Sequence, residues 1–114
     1  MKKNKIQENY LERIPIRAEI AWSKDESGLV TLHIENKGAF NRIAQTLFKK
    51  PKTSYIHLDE IGSFVWPQLD GEKTILELGR LVDEMFGEAA HPLYERLAKY
   101  FQILESYDFV RFKQ

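Results

Sequence analysis

The chain has 114 residues, 43% of them apolar, with 17 basic and 17 acidic side chains and no cysteine. That length suits one domain, and the apolar content argues against intrinsic disorder. Disulfides, thiolate metal sites and cysteine nucleophiles are excluded, and no run of about 18 apolar residues is present to form a transmembrane helix.

The basic start, Met1 to Ile6, is not followed by an apolar stretch, so no secretory signal is expected and the expected compartment is the cytoplasm. Neutrality of the whole hides an asymmetry. Residues 1–57 carry 11 basic against 6 acidic side chains, a net +5, and residues 58–114 carry 6 against 11, a net −5. This reads as two halves that attract each other, or as two surfaces for different partners.

In chain order, residues 1–15 are polar and read as a mostly irregular arm, with Tyr10, Leu11 and Ile14 able to pack down. Arg17 to Trp22 alternates, with Ala18, Ile20 and Trp22 on one face, and predicts a half-buried strand. After the polar loop Lys24 to Gly28, Leu29 to Glu35 alternates again, so the two runs predict an antiparallel hairpin. Phe40, Ile43, Ala44 and Leu47 recur at helical spacing, predicting a short helix over residues 40–48 that Lys49-Lys50-Pro51-Lys52 terminates. Thr53 to Leu58 is rich in β-branched and aromatic residues and predicts a third strand. Ser54, Ile56 and Leu58 point one way, and Thr53, Tyr55 and His57 the other.

From Asp59 the period becomes helical. Asp59 can cap a helix bearing Ile61, Phe64, Val65 and Leu69, which Pro67 should kink or shorten. Thr74-Ile75-Leu76-Glu77 is a capping box that starts a helix with Ile75, Leu78, Val82, Met85 and Phe86 as its apolar stripe and Gly87 as its stop. His91-Pro92 opens a last helix that buries Leu93, Leu97, Tyr100, Phe101 and Leu104. Phe109 to Phe112 predicts a terminal strand. The expected architecture is α+β and winged-helix-like: a small antiparallel sheet packed by three consecutive helices, plus an inserted helix.

Catalytic patterns are missing. His33, His57 and His91 lie too far apart for a close pair of metal ligands. Asp59-Glu60 sits at a predicted helix N-terminus and Asp83-Glu84 on a solvated helix face. No serine lies in a nucleophile elbow, and the six glycines are isolated rather than grouped in a phosphate loop. The expectation is a protein that is not an enzyme, with no metal and no cofactor.

Two binding readings remain. The helical pair from Thr74 to Tyr107 raises a winged-helix, DNA-binding transcriptional regulator as the alternative. Its last helix offers Arg96, Lys99 and Gln102, but Glu77, Asp83, Glu84, Glu95 and Glu105 would repel phosphates, so nucleic acid is not the expected partner. The first reading is peptide binding. If the third strand lies at a sheet edge, its main-chain groups can receive an added strand, with the last helix as the second wall of a groove. The lysines at 49, 50 and 52 would favour an acidic peptide. The candidate binding residues are Thr53, Ser54, Tyr55, Ile56 and His57 on the strand and Tyr94, Ala98 and Phe101 on the helix, although Phe101 also has the period of a core residue.

Leu58-Asp59-Glu60-Ile61-Gly62-Ser63-Phe64-Val65-Trp66, followed by Leu69-Asp70-Gly71, Thr74-Ile75 and Glu77-Leu78, resembles the PqqD family. The resemblance is strongest over residues 53–112, within one domain spanning residues 1–114. It implies a peptide-recognition element of winged-helix-like form. Such an element holds the leader of a ribosomally made precursor peptide and presents it to a modifying enzyme, often of the radical SAM type. It also implies that the leader adds as a strand beside residues 53–58 and lies against the last helix, residues 92–107. The longer arm, the inserted helix and Pro67 depart from the typical short member. The insert could cover the groove or make a homodimer surface.

Overall fold

The computed structural model describes residues 8–35 and 53–113. The inserted helix expected over residues 40–48 and the lysines at 49, 50 and 52 lie outside the described residues, as does the arm before residue 8.

A four-residue helix α1 (Glu8–Leu11) is followed by strands β1 (Pro15–Arg17), β2 (Ala21–Lys24), β3 (Val30–Glu35) and β4 (Thr53–His57). Helices α2 (Glu60–Val65), α3 (Ile75–Phe86) and α4 (Leu93–Ser106) come next, and β5 (Val110–Phe112) closes the described chain. The architecture is α+β, with small antiparallel sheets and three consecutive helices.

The run Arg17 to Trp22 is not one strand, which corrects the expectation of a continuous first hairpin arm. β1 pairs antiparallel with β5, Pro15 opposite Phe112, while β2 pairs with β3, Trp22 opposite Leu32. Between them Ala18 donates its N–H to the Phe109 carbonyl, and Ile20 donates back to the Ala18 carbonyl at 2.9 Å. That tight turn re-aims the chain from one sheet into the other. At the β2–β3 turn, Gly28 takes φ +90°, and the Asp25 carboxylate accepts from the Leu29 N–H at 2.9 Å.

Helix starts follow the side chains expected to cap them. Asp59 accepts from the Gly62 N–H, and Thr74 and Glu77 form the complete reciprocal box. Pro67 does shorten α2, since residues 66–68 continue only as a 3₁₀ turn. Gly87 ends α3 with φ +60°.

Val30 and Leu32 on one face of the three-stranded sheet join Val65, Trp66, Leu69, Ile75, Leu78, Val82, Leu97 and Phe101 in one core. Met85 leaves the expected α3 stripe and is 61% exposed. Its neighbour Phe86 turns inward instead and meets Phe64 edge-on at 5.7 Å. The hydroxyl of the buried Ser63 accepts from the Val30 N–H at 2.8 Å, tying α2 to β3. No helix among the described residues is long and apolar enough to cross a membrane.

Candidate peptide-binding groove

The three-stranded sheet has the order β2-β3-β4, so β4 is an outer strand among the described residues. Its register fixes which of its groups face outward. Leu58 donates its N–H to the Val30 carbonyl at 2.9 Å, and Ile56 lies opposite Leu32. Alternation along an antiparallel ladder then directs the N–H and C=O of Tyr55 and His57 away from β3.

Side chains alternate as well. Tyr55 and His57 lie on the outer face. There the Tyr55 ring meets His33 edge-on at 5.1 Å, and Nδ1 of His57 shares a hydrogen bond of 2.9 Å with the Thr31 hydroxyl. Ile56, 38% exposed, and Leu58 lie on the inner face, toward α4.

Between that inner edge and α4 runs a groove of about 380 Å³. β4 and the residue after it supply Ile56 and Leu58, α4 supplies Tyr100, Ile103 and Leu104, and the following turn supplies Tyr107 and Phe109. The lining is almost wholly apolar, apart from the polar tips of the two tyrosines. Ile103 and Tyr107 are 47% and 65% exposed, so the described residues leave large apolar surface uncovered beside the strand edge.

Tyr100 anchors the helical wall of the groove to the neighbouring helix. Its hydroxyl donates to the Gly62 carbonyl at 3.1 Å, joining α4 to α2. Burial, with the nearby Asp59 carboxylate, pushes its phenol far above the ordinary range, so it remains a neutral donor. Tyr107 and Phe109 stack with centroids 5.4 Å apart.

Of the eight residues expected from sequence to form the site, β4 carries Thr53, Ser54, Tyr55, Ile56 and His57. Ile56 lines the groove, and Tyr55 and His57 supply the outward main chain. The helix residues fall elsewhere. Ala98 and Phe101 are buried in the interior, and Tyr94 packs over Gly79 of α3. The groove wall is instead Tyr100, Ile103 and Leu104, a second stripe on the same helix that Tyr107 continues at helical spacing just beyond its end.

Among the described residues no group of three or more His, Asp or Glu is arranged to hold a metal. His91 does not line the groove and pairs with Asp83 at 2.9 Å.

The described residues thus form a small α+β domain with an outer strand beside an apolar groove. The family model described as Coenzyme PQQ synthesis protein D (PqqD) matches residues 28–110, and the chain belongs to that family. The match begins well before the stretch 53–112 that carries the motif residues. Neither a curated protein nor a solved structure matches the chain.

Proposed function

We propose that this protein is a non-catalytic adaptor. It holds the leader of a ribosomally made precursor peptide by strand addition to β4 and presents it to a modifying enzyme, such as a radical SAM protein. The observation that carries this reading is the juxtaposition of outward main-chain groups at Tyr55 and His57 with the apolar groove between β4 and α4. Main-chain hydrogen bonds supply affinity without regard to sequence, and alternate side chains of the added strand drop into the groove and supply selection. Membership of a family named for coenzyme PQQ synthesis supports a role beside an enzyme that works on a peptide.

The test is titration of ¹⁵N-labelled protein with synthetic leaders encoded by short reading frames beside its gene. Saturable shifts at the Tyr55 and His57 amides are expected. Ile103→Glu should weaken binding at least roughly tenfold, the scale of one lost apolar side-chain contact. His57→Pro probes strand addition directly. A proline is tolerated where the N–H faces outward on an edge strand, but it removes one donor to the incoming peptide. Undiminished binding by His57→Pro would reject strand addition at this edge, and no saturable shift with any leader would reject the adaptor role.

A further inference from the structure

The apolar groove does not stop at the end of α4. A second cavity, of about 490 Å³, begins at the same two rings, Tyr107 and Phe109, and runs to the end of the sheet where β2 starts and β3 finishes. Its lining is mixed. Ile20 and Ile34 are apolar, while Glu19 and Asp108 bring carboxylates to its rim. Glu35 borders the same cavity but is already engaged. The carboxylates of Glu19 and Asp108 have no hydrogen bond or ion pair among the described residues.

The shared wall is built with some strain. Asp108 takes φ +63°, in the left-handed region that non-glycine residues seldom occupy, and the turn it makes sets Tyr107 and Phe109 face to face, 24° from parallel. The two stacked rings therefore stand between an apolar groove on one side and an acid-rimmed cavity on the other.

Resting on the peptide-binding reading above, we propose that this second cavity takes a lysine or arginine side chain of the same bound peptide, on the same face as the residue anchored in the groove. The long stem of such a side chain can lie along Ile20, Ile34 and the Phe109 ring while its charged end stays at the wet rim beside Glu19 and Asp108. A guanidinium gains further from an aromatic face. An acidic side chain in the same place would meet two like charges. Because the carboxylates are exposed, the expected preference is modest, roughly three- to tenfold, and it shrinks as salt is raised.

The experiment is selection of a displayed library of random twelve-residue peptides against the full chain, followed by titration of the enriched sequences as synthetic peptides. Enriched sequences are expected to pair a large apolar residue with a Lys or Arg at a fixed spacing. Replacing that basic residue with Gln should weaken binding three- to tenfold. The difference should vanish in the double variant E19Q/D108N. The amide at position 108 also tolerates the left-handed backbone, so the turn is kept. An apolar motif without a fixed basic residue, or a preference that survives in the double variant, overturns the inference and leaves the groove reading intact. Failure to enrich any sequence overturns both.

Discussion

Gly79 of α3 lies directly against the Tyr94 ring of α4. A Cβ there would run into the Cε1 atom of Tyr94 and lie 2.8 Å from its Cζ, so the half-buried ring would have to shift. Gly79→Ala is therefore expected to destabilise the fold by about 1–3 kcal/mol, as overpacking does. Urea unfolding measures it, and the penalty should shrink when the same change is made in a Tyr94→Leu background. At Asp70 the effect is electrostatic. The Glu72 N–H donates to its carboxylate at 3.0 Å and Lys73 sits 3.4 Å away, and together these hold its pKa below the usual 3.8. A depressed folded-state pKa adds stability that is present above the unfolded value and is lost as pH falls through the folded one. Acid titration of stability below about pH 4 should thus be shallower in Asp70→Asn than in the parent.

Elements start where local chemistry tells them to. Thr74→Ala removes a capping bond of 3.1 Å to the Glu77 N–H and should cost about 1 kcal/mol, seen as a lower midpoint in thermal unfolding. The Asp59 cap and the Thr74 box were legible in the sequence because capping depends on side chains within three residues of one another. The split of Arg17 to Trp22 was not legible. Alternation reports that a run is extended, but not which strand it joins, and β1 finds its partner at Val110–Phe112, far along the chain. The groove shows the same division. The two faces of β4 follow from a period of two. On α4 the stripe Tyr94, Ala98 and Phe101 and the stripe Tyr100 and Ile103, which Tyr107 continues in the turn after the helix, are both regular, and only the tertiary fold decides which of them meets the groove. The exposed aromatic and aliphatic residues of the second stripe were the available signal.

At the scale of the whole molecule, one buried hydroxyl joins the sheet to the helices. Ser63 accepts from Val30 and donates to the Leu58 carbonyl at 3.3 Å, so it sits where β3, the end of β4 and α2 converge. Ser63→Ala leaves the Val30 N–H buried without an acceptor and should cost about 1–3 kcal/mol. Hydrogen exchange at Val30 and Leu58 should accelerate together, while α3 should be less affected. A change confined to α2 would show that the hydroxyl serves its own helix alone.

The pairing of β1 with β5 has a mechanical consequence. Pro15 sits opposite Phe112, at the end of the ladder from which both flanking chain segments depart. Tension applied through those segments would open the pairs one after another, like a zipper, rather than shear them all at once. Such a junction yields at low force, and the strand it releases is tethered directly to Phe109 and Tyr107. Pulling on the two flanks should therefore dismantle the aromatic end of the groove before the helical core gives way.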